Sequence, residues 1–347
     1  MKTFNKYYIF TIISFFILLS GCIKDNITPP LTGNLNPVGK MLVYFEEQGD
    51  FTNSSQAPAL VNADEVNTNL GSYLIIDIRS PSDFSEGHIE GSVNIQSDSL
   101  YNYFENLDAG KYYKIVLVSK NGQSSAYFVC LLRLAGFNNV YTLNFGLASW
   151  NEHFSDDWLG AIGDASDIER YTNDPVPKGD YTNLPDIMFE NPDAPIEQNV
   201  KSRIKQTMSA GFIQDINFER VIPEIGTMYI VCYALNGLLY YSPRFGPFSE
   251  LGHDPDARYY MSDPLFELRA VNYLQTLPPE DKILIYDETG QMGACMTAYL
   301  RVLGYNAVTL LFGGNQLIHS RMIYYQEIQQ FAFDDSDIKN YPYVTGE

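Results

Sequence analysis

The 347-residue sequence predicts an α/β fold with two domains, each a mainly parallel sheet flanked by helices, and three observations support this class. Short apolar stretches such as IVLV at 115–118 alternate with amphipathic helical stretches. A strand, loop, helix and strand occur twice, at an offset of 168 residues. Units of this length imply parallel strands joined by right-handed crossovers. The length itself is typical of about two domains.

The repeat pairs residues 119–146 with residues 287–314, and the two stretches align without a gap. Upstream, apolar stretches at 73–78 and 228–233 supply a further buried strand for each copy. The identical pairs are Gly122/Gly290, Gln123/Gln291, Ala126/Ala294, Leu132/Leu300, Arg133/Arg301, Gly136/Gly304, Asn138/Asn306, Val140/Val308, Leu143/Leu311 and Gly146/Gly314.

Changes in composition along the chain predict its domain boundaries. The acidic, proline-rich stretch after Trp150 indicates a long connector over the surface, and the helical pattern that starts at Ile196 opens the second domain. The predicted segments are a signal peptide at 1–21, a flexible tether at 22–40, a first domain at 41–155, a connector at 156–195 and a second domain at 196–347.

The N-terminus has the features of an export signal. Lys2 and Lys6 precede a short apolar run at 7–19, and small residues follow it. Leu19-Ser20-Gly21-Cys22 resembles a bacterial lipoprotein box, which implies cleavage before Cys22 and lipidation of that residue; an uncleaved signal anchor is the alternative. We expect an exported protein held by lipid on a bacterial membrane, most simply the outer one, facing the periplasm or the cell exterior.

Charge and cysteine content exclude several functions. The net charge of −20 disfavours binding to nucleic acid and to anionic lipid surfaces. Apart from Cys22, only Cys130, Cys232 and Cys295 remain, and this odd, sparse set predicts small buried side chains rather than a disulfide framework. The histidines show no metal-ligand spacing, so we expect neither a metal nor a cofactor.

The motifs of both copies resemble those of rhodanese-like domains. In the first copy, Asp77-Ile78-Arg79, Phe84, Gly87-His88-Ile89-Glu90-Gly91-Ser92 and Asn94-Ile95 follow that family's D-x-R … F-x-x-G-H-I-x-G-A-x-N-I pattern. In the second copy, Gly252-His253-Asp254-Pro255-Asp256-Ala257 resembles its G-H-I-P-G-A. The resemblance implies a tandem of two rhodanese-like domains, as in two-domain sulfurtransferases, with the second more degenerate.

The resemblance also places the family's active-site loop at 119–125, between a strand and a helix N-terminus. Backbone N–H groups of such a loop form an anion-binding concavity, and in active members its first residue is a cysteine that becomes a persulfide. Ser119 stands at that position, and a hydroxyl cannot form the S–S bond. The candidate anion-binding residues are Ser119, Lys120, Asn121, Gly122, Gln123, Ser124 and Ser125.

In the second copy the same position holds Asp287, followed by Glu288, with no basic residue before Arg301. Two carboxylates at the mouth of an anion cradle repel an anion. We therefore expect sulfur transfer by the family mechanism in neither copy and assign no catalytic residue.

Other polar residues near the motifs allow alternative interpretations. In one interpretation, Ser119 and His88 form a nucleophile–base pair. In the alternative interpretation, His88 and His253 are structural residues of their turns. Asp77 and Arg79 are either a catalytic acid and anchor or a buried pair that fixes the loop. The aromatic stretch 234–264 is either a partner surface or packing between the domains.

Three functions follow from these observations. The first is a catalytically inactive, lipid-anchored protein that binds a small oxyanion or an envelope protein. The second is an enzyme, either a sulfurtransferase with residual or atypical activity or a hydrolase using Ser119. The third is a purely structural role in which both loops are vestigial.

Overall fold

The computed structural model describes residues 35–165, 171–212, 227–241, 246–248, 252–262, 268 and 274–346. Residues 36–347 belong to one compact unit. The strands are β1 Leu60–Val61, β2 Leu74–Asp77, β3 Val93–Asn94, β4 Ile115–Val118, β5 Val140–Leu143, β6 Tyr229–Ala234, β7 Ala257–Met261, β8 Lys282–Tyr286 and β9 Asn306–Thr309.

The α-helices of the described residues flank these strands. They are α1 Pro37–Glu47, α2 Ala63–Thr68, α3 Pro81–Glu86, α4 Leu100–Asn106, α5 Gln123–Leu134, α6 Asp156–Ala161, α7 Ile196–Ala210, α8 Gln291–Val302, α9 Gly314–Leu317, α10 His319–Tyr324 and α11 Gln326–Gln329. The helix predicted to start at Ile196 is confirmed as α7.

Two parallel sheets form the centre of the molecule. The first has the order β1-β5-β4-β2-β3, and the second has the order β7-β6-β8-β9. All pairings between these strands are parallel, as predicted from the strand-helix-strand units. Among the described strands the second sheet thus repeats the order β5-β4-β2-β3 of the first. The α/β class with parallel sheets is confirmed.

The gap-free alignment of the two copies is wrong beyond the turn that follows each long helix. Arg133 Nε donates to the Val140 carbonyl, whereas its counterpart Arg301 donates to that of Ala307, so the offset falls from 168 to 167 residues. The turn Phe137–Val140 has one residue more than its counterpart at 305–307. Turns tolerate such changes because they lie outside the strand ladder.

The corrected register brings the glycine turns of the two copies into equivalence. Phe145 and Phe312 both have positive φ, at 58° and 59°, and the next residues, Gly146 and Gly313, also have positive φ. A Cβ on Gly146 would overlap the Ser119 carbonyl oxygen, and one on Gly313 would overlap that of Asp287. Glycine is therefore required where each turn crosses the preceding loop.

The predicted tether at 22–40 extends too far. Residues 37–40 form the first turn of α1, where the Asn36 side chain accepts from the Gly39 N–H and Pro37 occupies the first turn. Val38 is fully buried, together with Met41 and Phe45 on the same helix face. Composition indicated a flexible segment, but the cap and the apolar face decide otherwise. Residues 1–34, with the predicted signal peptide and Cys22, lie outside the described residues.

The predicted boundary between the domains is crossed by contacts of the C-terminal segment and of helix α1. The Trp150 indole donates to the Pro342 carbonyl, and His88 forms a two-way backbone bridge with Val344, so the C-terminal segment packs on the first sheet. On the other side of the predicted boundary, the second half is contacted by α1, whose Phe45 ring packs on Tyr299 of α8. The connector predicted at 156–195 begins with helix α6, and Trp158 of this helix is fully buried.

In the described part of the chain no helix is long and apolar enough to span a membrane.

Candidate functional site

The loop after β4 is a closed turn with Ser119 at its centre. Ser119 is 4% exposed, and its Oγ accepts from the N–H groups of Gly122 and Ser125 at 3.2 Å each. It also shares a hydrogen bond of 3.0 Å with the Ser125 hydroxyl, which contacts Thr142 on β5. Because α5 begins at Gln123, the loop is shorter than the predicted 119–125. The inward N–H groups thus point at the protein's own hydroxyl.

The predicted basic residue of this loop is turned away from it. Lys120 Nζ bonds to Asp157 at 2.8 Å, and the lysine side chain is 53% exposed. The Asn121 carbonyl accepts from the Trp158 indole at 3.2 Å, so α6 packs against the outside of the loop. The positive charge nearest in sequence to Ser119 therefore does not contribute to a cradle around its hydroxyl.

The loop after β8 contains the same arrangement with a carboxylate in place of the hydroxyl. Asp287 is 1% exposed, and its two oxygens accept from the N–H groups of Thr289, Met292 and Gly293 at 3.0–3.3 Å and from the Thr289 hydroxyl. Burial raises the pKa of Asp287, and these donors oppose that rise. A carboxylate of the loop itself therefore satisfies these donors.

Glu288, the next residue, is a buried carboxyl group with an unusual proton affinity. Its Oε1 accepts from the Leu235 N–H at 3.0 Å, and the residue is 4% exposed. Burial, followed by the neighbouring Asp287, raises the pKa of Glu288 to about 8. Near neutral pH this side chain is therefore mostly protonated and neutral.

Two equivalent glutamines join the loops to each other. Gln291, at the start of α8, accepts from the Phe145 N–H at 3.1 Å and donates to the Gly122 carbonyl. Gln123, at the start of α5, donates to the Thr289 carbonyl at 3.2 Å. Both side chains are fully buried. Each helix start therefore covers the loop of the other copy.

Sequence reasoning assigned Gln123 to anion binding and gave Gln291 no role. The sequence did contain a signal for these contacts, since both copies have glutamine at this position. A polar residue at equivalent positions of two facing helices is suited to reciprocal contacts. This signal did not show that the loops face each other, which depends on how the two sheets pack.

In the first copy, the side chains of the residues predicted to fix the loop contact one another and the segment 84–88. Asp77 and Arg79 form a buried ion pair at 2.7 Å, and Arg79 also donates to the Gly87 carbonyl at 2.6 Å. His88 Nδ1 bonds to the Phe84 carbonyl at 2.8 Å, and its ring stacks on Phe84. These contacts agree with the structural alternative, and no hydrogen bond between His88 and Ser119 occurs in the described residues.

His253, the counterpart in the second copy, is also held in its turn. Its Nδ1 bonds to the Asp254 carbonyl at 2.7 Å, and its ring stacks on Tyr240 with centroids 3.4 Å apart. Burial lowers the pKa of His253. Of the aromatic stretch 234–264, Tyr240 and Tyr260 are buried in the second half, whereas 242–245, 249–251 and 263–264 lie outside the described residues.

An open cleft of about 610 Å³ lies where the carboxyl ends of the two sheets meet. Asn62 and Asn144 line it after β1 and β5, Leu235 and Glu288 line it after β6 and β8, and Lys339 closes it from the C-terminal segment. Ligands of open parallel sheets bind at this edge, in pockets of similar volume. Sequence reasoning did not find this cleft because its walls come from distant segments.

The cysteines agree with the predicted buried state. Cys130, Cys232 and Cys295 are free thiols without solvent exposure. Among the described residues no group of three or more histidine, cysteine or acidic side chains could hold a metal ion.

Comparison with known proteins assigns a family to the first sheet and its helices. The family model described as a rhodanese-like domain matches residues 62–153. Thiosulfate sulfurtransferase GlpE of Shewanella oneidensis is 33% identical over 85 residues, which cover 24% of this chain and 82% of the relative. The same enzyme of Stutzerimonas stutzeri is 31% identical over 102 residues, 29% of this chain and 84% of the relative.

Among solved structures, a rhodanese-related protein from Thermoplasma volcanium is 28% identical, with a TM-score of 0.25, and the match covers 27% of this chain and 92% of that one. The identity to the sulfurtransferases, over most of their length, shows that this chain belongs to the rhodanese-like family.

Proposed function

We propose that this protein is a catalytically inactive member of the rhodanese-like family that binds a ligand or partner at the bacterial cell envelope. One observation carries the proposal: the residue that opens the loop after β4 is a buried serine whose hydroxyl uses the loop's own N–H donors. The matched relatives are named for thiosulfate sulfurtransfer. That activity requires a nucleophile able to hold a sulfane sulfur.

Ser119 lacks both properties that this chemistry requires. Its oxygen cannot form the S–S bond of a persulfide, and a hydroxyl ionises far less readily than a thiol. Its environment also disfavours an anionic donor, because Gln291 covers Gly122 and the Lys120 ammonium group is paired with Asp157. The serine at this position and the closed loop both disfavour sulfur transfer.

The second copy supports the same conclusion. Its strand order matches that of the first sheet, so we infer a second, more degenerate rhodanese-like half. The Asp287 carboxylate satisfies the donors that would bind a substrate anion there. Bringing a second anion beside it would cost free energy through like-charge repulsion.

The cleft is the surface that best fits a binding function. Besides the mostly neutral Glu288, the cleft carries the carboxyl groups of Asp64, Asp287 and Asp337 against the single described ammonium group of Lys339, so it does not favour a small anion. Its size and its place at the strand ends fit an uncharged polar ligand or a partner segment. This cleft replaces loop 119–125 as our proposed binding site.

The membrane anchor is a separate part of the proposal. Lipidation of Cys22 would hold the folded part of the chain at a membrane. Labelling with palmitate in cells should mark the wild-type chain and be lost in Cys22→Ala, whereas Cys130→Ala should label normally. Equal labelling of the Cys22→Ala chain would rule the anchor out.

A thiosulfate:cyanide assay tests the catalytic part. We expect the full chain carrying Cys22→Ala to form thiocyanate no faster than buffer, with or without Ser119→Ala. Turnover that Ser119→Ala abolishes would show that the protein is a sulfurtransferase with atypical activity.

Calorimetry with sulfate, phosphate and thiosulfate tests the anion-binding alternative for loop 119–125. We expect no binding heat. A heat signal that Lys120→Ala removes, and that Lys111→Ala at an exposed control site does not, would instead place an anion site at this loop.

A further inference from the structure

A small cavity of about 30 Å³ lies in the second half of the molecule, lined by residues of β6, β8, α9 and α10 and by the turn 252–254. Arg321 of α10 lines it and is fully buried. The Nη1 and Nη2 atoms of Arg321 donate to the carbonyls of Gly252 and Leu239 at 3.2 and 2.9 Å. A guanidinium group thus ties the turn 252–254 to a helix.

In the first copy a different arginine contacts the equivalent turn. Arg79 donates to the carbonyl of Gly87, which precedes His88 as Gly252 precedes His253. The Nε atom of Arg79 also donates to both carboxylate oxygens of Asp77, at 3.0 and 3.1 Å. In the first copy, the guanidinium that holds the turn is therefore fully paired with a carboxylate.

The second copy lacks this aspartate–arginine pair at its strand end. Asp77 and Cys232 occupy equivalent registers, each opposite the residue that precedes the first loop residue of its copy. Ala234 consequently stands at the position of Arg79. Arg321 therefore reaches the turn from another element, without a carboxylate at the strand end to accept from its Nε.

Two polar atoms of residues that line the cavity have no hydrogen-bond partner within the described part of the chain, Arg321 Nε and His253 Nε2. Arg321 also takes part in no ion pair between described residues. His253 Nδ1 bonds to the Asp254 carbonyl at 2.7 Å, and because a carbonyl only accepts, Nδ1 carries the proton. Burial lowers the pKa of His253 and so favours the neutral ring, whose Nε2 is an acceptor. The two side chains therefore offer one donor and one acceptor.

Water matches this combination, because a water molecule both accepts and donates hydrogen bonds. The cavity volume of about 30 Å³ exceeds the roughly 10–15 Å³ that one water molecule requires. A small anion matches it poorly, since neutral His253 presents a lone pair and the carboxyl group of Asp254 also lines the cavity.

We propose that this cavity binds internal water, which accepts from Arg321 Nε and donates to His253 Nε2. Arg321, the water and His253 together hold the turn 252–254, as the Asp77–Arg79 pair holds the equivalent turn of the first copy. A buried polar group requires a hydrogen-bond partner, and the water supplies the one that the missing carboxylate does not. This inference depends neither on sulfur transfer nor on a ligand in the cleft.

A crystal structure of the full chain with Cys22→Ala, from crystals soaked in sodium bromide, tests the identity of the bound species. We expect ordered water within about 3.2 Å of Arg321 Nε and of His253 Nε2, and no anomalous bromide signal in the cavity. A bromide peak would show an anion site, and a cavity without ordered density would show that the two atoms stay unpaired. Either result would overturn the proposal.

Thermal unfolding provides the corresponding test in solution. Because water is present in every buffer, the thermal midpoint should be the same in chloride and in gluconate of equal ionic strength. Arg321→Lys, and the control Arg203→Lys at a half-buried position of α7, should show the same indifference to chloride. A midpoint that chloride raises in the wild type and in Arg203→Lys, but not in Arg321→Lys, would place an anion beside the guanidinium and contradict the proposal.

Discussion

At the ends of β4 and β8, the first loop residue turns its side chain back onto the amide hydrogens of its own loop. Ser119 does so with a hydroxyl and Asp287 with a carboxylate. Both side chains thus occupy N–H groups that would otherwise be available to an external acceptor. A loop frame that would suit substrate binding thus becomes a structural turn.

Replacing Ser119 by alanine should weaken the fold although it changes no activity. The variant leaves the N–H groups of Gly122 and Ser125 without their acceptor in a buried site, which costs about 1–3 kcal/mol. Unfolding in urea measures the loss. The matched control is Ser124→Ala, in the first turn of α5 and only half-buried, which should cost much less. Equal losses in the two variants would contradict the structural role of Ser119.

Glu288 predicts how the stability of the protein depends on pH. Its pKa is about 8 in the folded state against an ordinary value of 4.5, so the folded state holds a proton that the unfolded state releases between these values. Stability should therefore be highest near the lower end of this window and fall as the pH rises to about 8. The full loss is on the order of 5 kcal/mol at most.

The matched change is Glu288→Gln, which keeps the acceptor for the Leu235 N–H and removes the titration. Urea midpoints measured from about pH 5 to 8 should decline in the wild type and be nearly constant in the variant. Glu90→Gln, at an exposed position, should behave as the wild type. A decline of equal size in Glu288→Gln would show that another group is responsible.

The first residue of each of the helices α5 and α8 contacts the loop of the other copy. Gln291 of α8 contacts the first loop, whereas Gln123 of α5 contacts the second, so each contact can be removed separately. Because all described cysteines are buried, a thiol introduced at position 119 of the Cys22→Ala chain becomes a specific probe of access.

The Ser119→Cys thiol should react slowly with an aromatic disulfide reagent. Adding Gln291→Ala should raise that rate by about tenfold, because two hydrogen bonds that close the first loop are lost. The control Gln123→Ala loosens the other loop and should leave the rate nearly unchanged. Rapid labelling of Ser119→Cys alone would mean that the first loop is open.

The positions of most strands and long helices could be predicted from the sequence. Apolar stretches and glycine turns located β2, β4, β6, β8 and the long helices, because alternating patterns depend mostly on local burial. The second copy has one residue fewer in the turn near 306 than the first copy has near 138. This difference could not be recognised from the sequence, because Val308 happens to match Val140 when no gap is allowed. The helical turn at 37–40 was also missed, because proline and asparagine are typical both of tethers and of helix starts.

At the scale of the whole molecule, the two halves are interlaced rather than joined by a single connector. The C-terminal segment reaches His88 and Trp150 of the first half, and α1 reaches Tyr299 of the second. Such contacts join residues that are between 192 and 256 positions apart in the chain. No local pattern encodes them, which is why the cleft and the facing loops could not be derived from the sequence.

The interlacing also determines where a binding function can lie. With the two loops turned toward each other and filled, an open cleft at the carboxyl ends of the strands offers space for a ligand. Its lining combines carboxyl groups, amides and hydroxyls from both halves. A ligand there would contact both halves at once.

The central claim is that neither loop takes up sulfur, and one mass measurement tests it most directly. The full chain with Cys22→Ala is incubated with thiosulfate, and its intact mass is compared with that of a GlpE sulfurtransferase treated in the same way. We predict that the relative gains the mass of one sulfur atom while this protein gains none. A one-sulfur adduct on this protein that cyanide removes would contradict the account.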